Sequence, residues 1–87
     1  KMRTIFYHPS FLNDWNSLEL RVKSKARRQI SVFQKNPSHA TLRNHKLSGK
    51  MKNLWAFSIT FDYRIVYFYD EKRGIIFLRI GRHKEVY

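Results

Sequence analysis

Two hydrophobic periods divide the chain. In its first half, apolar residues recur at helical spacing: Phe11, Leu12, Trp15 and Leu18, then Leu18, Val22, Ala26, Ile30 and Phe33 at steps of four, four, four and three. Such steps keep apolar groups on one face of a helix. The remaining faces of the second segment carry Arg21, Lys23, Lys25, Arg27, Arg28 and Lys35, so it reads as an amphipathic, basic helix. Asn13, Asn16 and Ser17 are weak helix formers and predict a break between Leu12 and Leu20. Asn36-Pro37 ends the second helix, because proline lacks an N–H and restricts the residue before it. Ahead of the helices, Thr4, Ile5, Phe6 and Tyr7 form a short β-branched and aromatic run from Arg3 to His8, an opening strand stopped by Pro9. Ser10 is then the expected N-cap of the first helix.

From Trp55 the period becomes two. Trp55, Phe57, Ile59 and Phe61 alternate with Leu54, Ala56, Ser58 and Thr60, which predicts a strand with its large apolar groups, Phe61 included, on one face. Tyr63 to Tyr69 is apolar or aromatic at every position but Arg64, as in a central strand. Asp70 to Gly74 is a charged turn, Ile75 to Ile80 a third strand of an antiparallel meander, and Gly81 opens a basic tail. Between the halves, Pro37 to Gly49 shows no sustained period and reads as a long connection with one helical turn near Ala40 to Leu42. A loop of that length in so small a domain is often functional. The predicted order is β-α-α-β-β-β, an α+β fold with two helices packed on one face of a small, mainly antiparallel sheet, and one domain spans residues 1–87.

Composition narrows the function. Eighteen Lys plus Arg against six Asp plus Glu give a net charge of +12 over 87 residues. A surface this positive attracts phosphate backbones or anionic membranes. The basic helix has only the modest apolar face that one core needs, so a polyanion is the expected partner and a membrane is not. Apolar residues make up 43% of the chain, enough for a single core and against disorder. The absence of cysteine excludes a disulfide framework, a thiolate metal site and a cysteine nucleophile, and suits a reducing, cytoplasmic setting. Three glycines form no phosphate-binding loop, and six scattered carboxylates suggest no metal cage, so no cofactor or metal is expected.

Metal-free phosphodiester cleavage needs only groups that this chain has. They are a base for a ribose 2′-hydroxyl, an acid for the leaving 5′-oxygen and fixed positive charge for the transition state. Arg64 stands out as a cation in an apolar strand; it snorkels to a sheet edge, pairs with Asp62 or turns its planar fork to a phosphate. His83 follows the last strand between Arg82 and Lys84, and imidazole is the side chain suited to proton transfer near neutral pH. Tyr87, four residues on, shares a helical face with His83 if the tail forms one turn, and is otherwise an apolar plug. His45 lies in the basic run Arg43-Asn44-His45-Lys46.

Four segments in order, His45-Lys46-Leu47-Ser48-Gly49, Leu54-Trp55-Ala56-Phe57, Asp62-Tyr63-Arg64-Ile65-Val66-Tyr67 and Ile80-Gly81-Arg82-His83-Lys84-Glu85-Val86-Tyr87, resemble the RelE/ParE superfamily of bacterial type II toxins. The resemblance implies a small sheet carrying two helices, a cognate antitoxin across the basic surface and, in the RelE and YafQ branches, ribosome-dependent cleavage of mRNA in the decoding site. By resemblance Arg64 holds the scissile phosphate, Tyr87 stacks on or orients a base, and His83 acts as general acid or base with His45 as its partner or as a phosphate ligand. Asp62 matches an acidic, orienting position. Lys46, Lys50, Lys52, Arg82 and Lys84 are the expected RNA-binding cations. Ala56 and Ser58 depart from the pattern, since relatives carry strand lysines or a further histidine about there. The ParE branch implies a rival, a non-nuclease toxin that inhibits DNA gyrase; a third reading is a ribosomal-RNA-binding module without catalysis.

Overall fold

The computed structural model describes residues 3–51 and 53–87. Strand β1 (Ile5–Tyr7) leads into helices α1 (Pro9–Asn16) and α2 (Leu20–Lys35), followed by strands β2 (His45–Lys46), β3 (Trp55–Ser58), β4 (Tyr63–Asp70) and β5 (Gly74–Arg82), and by the short helix α3 (His83–Val86). One five-stranded sheet runs in the order β1-β5-β4-β3-β2, with β1 parallel to β5 and every other pair antiparallel. This is the expected α+β fold. Among the described residues no helix is long and apolar enough to cross a membrane.

The α2 stripe works as its spacing predicts: Val22, Ala26 and Phe33 are buried, and the helix stops at Lys35 with Asn36 as its C-cap. Phe33 inserts into the sheet, stacked on Phe57 at 4.7 Å between ring centres and edge-on to Tyr67 at 5.0 Å and Phe77 at 5.7 Å. Aromatic pairs at these separations add to the stabilisation from burial itself. Gln29, on the same turn, donates to the Ser58 carbonyl at 3.0 Å, which ties α2 to the end of β3.

Four expectations need correction. The cap of α1 is His8, whose Nδ1 accepts the Ser10 N–H at 3.0 Å, with Pro9 in the first turn where its missing N–H costs nothing. The long connection holds the predicted turn at Ala40–Leu42 but also a two-residue strand, β2, which extends the sheet. β3 ends at Ser58, so Phe61 leaves the apolar face and stands 91% exposed in the turn before β4. Gly81 belongs to β5, because a bulge makes Tyr67 pair with Phe77 while Val66 pairs with Arg79. The inserted residue, Leu78, shifts the alternation, and Ile75, Phe77 and Ile80 all join the helix-side core.

Candidate functional site

The site is built on the sheet face away from the helices. Ile65 and Tyr67 of β4 point into the helix-side core, which sends Arg64 and Val66 to the opposite face. There Arg64 lies between Ser58 of β3 and Gly81 of β5. It does not pair with Asp62. Its Nη1 donates to the carbonyls of Thr60, Phe61 and Tyr63 at 3.0, 2.9 and 3.1 Å, so the turn before β4 holds the guanidinium by one corner. Nε and Nη2 make no hydrogen bond to a carbonyl among the described residues, which leaves this side of the planar fork to the Tyr87 hydroxyl and to an anion.

The tail folds back over this face. The Arg82 N–H donates to Glu85 Oε1 at 3.2 Å and the His83 N–H to the Asp62 carbonyl at 2.9 Å, which supplies partners for the first free donors of α3. Val86, 5% exposed, seats on Ala56 and Val66 with Leu47 and Leu54 at the margin. Ala56 is fully buried under it. That explains the departure at this position: a lysine here would displace Val86 and unseat the tail.

The single turn of α3 brings His83 and Tyr87 onto one face, their ring centres 4.2 Å apart at 58°. The Tyr87 hydroxyl faces the Arg64 guanidinium. Burial raises the phenol above its ordinary value, and the charge and hydrogen bonding of Arg64 oppose that rise. The pair His83–Tyr87, expected on one helical face, and Arg64, read apart from them, therefore form one cluster. Arg82 lies beside it, with Nε donating to the Tyr63 hydroxyl at 3.3 Å and its guanidinium 5.7 Å from the Tyr63 ring. That bond first, and the charges of Glu85 and Asp62 among the weaker contributions, hold Arg82 more firmly protonated.

His45 is exposed on β2, paired with Ala56, and thus on the face where Val86 seats. Its Nδ1 lies 2.9 Å from the Arg43 carbonyl. A carbonyl only accepts, so the neutral ring carries its proton on Nδ1 and leaves Nε2 as the basic atom. Arg43 presents that carbonyl from a left-handed turn, with φ of 50°. Lys46, Lys50 and Lys84 are exposed, but Lys46 pairs with Trp55 and its side chain falls on the helix side of the sheet, away from Arg64. Lys52 lies outside the described residues. Asp62 contributes its backbone rather than its carboxylate. Among the described residues no three His, Cys, Asp or Glu side chains converge as metal ligands.

The sequence reading missed Val86 and Gly81, which hold the tail, and the pair Asp14–Arg79. Asp14 accepts from Arg79 Nε at 2.6 Å, from Nη2 at 3.1 Å and from the Ile80 N–H at 3.0 Å, and so closes the edge of β5 where β1 stops. A small residue after a strand and an apolar residue in a basic tail are the only traces that Gly81 and Val86 leave in the sequence.

A family model for the ParE toxin of the type II toxin–antitoxin system parDE matches residues 5–87. No curated protein is significantly similar in sequence. Among solved structures, the chain is similar to YafQ of Escherichia coli at 20% identity and a TM-score of 0.80, over 98% of each chain. It is also similar to a copper-bound mutant toxin from Helicobacter pylori at 25% identity and a TM-score of 0.72, over 99% of this chain and 100% of that one. The DinJ–YafQ toxin–antitoxin complex of E. coli aligns at 20% identity and a TM-score of 0.78, over 100% of this chain and 99% of that chain.

Proposed function

The chain belongs to the ParE toxin family of type II toxin–antitoxin systems, and from that premise we propose that it is a metal-independent endoribonuclease that cleaves mRNA in the ribosomal A site and is silenced by a cognate antitoxin. The supporting observation is the cluster itself: an imidazole 4.2 Å from a tyrosine ring whose hydroxyl faces a strand arginine. A protein that only binds needs no titratable ring there. The fold shared with DinJ–YafQ supports the antitoxin as partner.

The step is an in-line transfer. A base removes the proton of the ribose 2′-hydroxyl, the oxygen attacks the adjacent phosphorus, and the 5′-oxygen leaves with a proton from an acid, giving a 2′,3′-cyclic phosphate and a 5′-hydroxyl. His83 exchanges one of these protons, and Nε2 of His45 is the partner base. Arg64 holds the charge of the transition state through the donors that the Thr60–Tyr63 turn leaves available. Tyr87 stacks on a base, which is worth about 1 to 3 kcal/mol. Arg82, Lys84 and Lys50 carry the backbone of the RNA strand.

The ParE match favours a second reading, inhibition of DNA gyrase by binding alone. Primer extension on a defined mRNA in a purified translation mixture separates the two. Discrete A-site breaks that need ribosomes are expected, with His83→Ala and Arg64→Ala each lowering cleavage by about 10²- to 10⁴-fold. Ribosome affinity should change only a few-fold. Intact mRNA together with blocked supercoiling would establish the gyrase reading instead.

A further inference from the structure

A groove of about 1060 Å³ runs on the helix side of the molecule, between α2 and the turn that joins β3 to β4. Arg21, Lys25 and Arg28 form one wall and Arg43 stands on the other, while Arg64, rooted on the opposite sheet face, reaches the turn end of the groove through its bonds to the Thr60 and Phe61 carbonyls. Arg21 meets Glu19 only at 3.6 Å, with both side chains largely in solvent, and Lys25 and Arg28 have no ion pair among the described residues. The floor residues Val22 and Ile59 are buried, at 3% and 2% exposed, while Val32 and Tyr63 beside them are half-buried. At the mouth stands Phe61, 91% exposed on a turn that nothing among the described residues covers.

We propose that this groove is a binding track for single-stranded RNA, with Lys25 and Arg28 on its phosphates and Phe61 stacked on a base. Three features carry the choice of ligand. Cations on both walls call for a polyanion. Positions 21, 25 and 28 succeed one another along α2 at about 6 and 4.5 Å, a step of the order of that between neighbouring phosphates in an extended strand. The one fully exposed apolar group of the lining is a flat ring, with only the half-buried Val32 as aliphatic surface beside the buried floor, which fits a nucleobase better than an amphipathic helix. The track also leads somewhere. Arg64 lines the groove and faces Tyr87, so a strand lying in it passes the turn and arrives at the candidate site. The choice of RNA as ligand rests on the nuclease reading; the groove and its charge do not.

The test uses the whole chain and a fluorescein-labelled, 2′-O-methyl RNA 12-mer that cannot be cleaved, with fluorescence anisotropy followed over a range of salt. The double variant Lys25→Ala/Arg28→Ala should bind at least tenfold more weakly, and its salt slope should be shallower by about 0.7 for each cation removed. Phe61→Ala should lose about tenfold with the slope unchanged. All three positions are exposed, and circular dichroism verifies that the variants fold. Unchanged RNA affinity in both variants overturns the track. So does a loss confined to an acidic, leucine-bearing peptide, which would make the groove a protein interface. Groove-dependent RNA binding by a chain that cleaves no mRNA leaves the track standing and sinks the nuclease, whereas His83-dependent cleavage with groove variants of normal affinity does the reverse.

Discussion

Gly81 shows how much a single residue decides. A Cβ built at this position would lie 3.0 Å from Cγ1 of Val86 and 3.4 Å from Oε1 of Glu85. Both belong to the tail that carries His83 and Tyr87. A contact that close is relieved by movement of the neighbour, and a four-residue terminal helix moves more readily than a central strand. Gly81→Ala is therefore expected to cost only about 1 kcal/mol in a urea titration. Its effect on cleavage should be larger, tenfold or more, because the His83 ring shifts away from Arg64. If cleavage falls no further than stability explains, the glycine serves packing alone. Arg64 shows the complementary case: the sequence marks it as an anomaly, but only the three carbonyls on its Nη1 show that it is anchored rather than snorkelling.

Among the elements, the bulged β5 connects core and site. The residue inserted opposite Val66–Tyr67 lets Phe77 and Ile80 both face the helices, and so leaves Gly81 on the other face beneath Val86. Asp14 secures this arrangement from α1, because its carboxylate takes the Arg79 fork and the Ile80 N–H that no strand receives. Asp14→Ala should lower stability by about 1 to 2 kcal/mol, the low part of the range for a charged hydrogen bond, since the side chains are 39% and 17% exposed and water replaces part of the interaction. Chemical denaturation measures this. Asp14→Asn, which keeps one acceptor, should recover part of the loss; equal loss in both variants would point to helix packing instead.

For the whole molecule, burial and charge set the response to solution conditions. Burial raises the Tyr67 phenol far above its ordinary value, its hydroxyl keeps its proton in the bond it donates to Asn44 Oδ1 at 2.7 Å, and burial raises Tyr7 and Tyr87 as well. A phenol raised on folding holds its proton longer in the native state than in the unfolded chain. Its contribution is complete below the ordinary value of about 10 and is lost as the pH rises above it. Urea midpoints should hold steady up to about pH 9 and fall beyond it, with Tyr67→Phe falling less steeply. A midpoint that rises in that range would contradict the burial of these rings. The excess of +12 acts in the opposite sense, since loss of positive charge at high pH relieves repulsion, and added salt separates the two by screening only the latter.

Much of this molecule is legible along the chain because helical and strand periods are properties of neighbouring residues. The α2 stripe from Val22 to Phe33, the alternation from Trp55 and the end of α2 at Asn36-Pro37 follow from local backbone geometry, and the structure keeps them. Charge is equally local, so a basic α+β fold follows from composition and pattern, and the ordered segments around Arg64 and His83 carry the likeness to type II toxins. Tertiary structure decided the rest, for one physical reason. Whether Phe61 turns inward, whether two residues at His45 become a strand, and whether the tail seats on Ala56 depend on partners distant in sequence, whose hydrogen bonds and apolar contacts outweigh weak local preference. In the sequence Arg64 stood apart from the His83–Tyr87 pair, and it is Val86 in its seat that brings the three into one cluster.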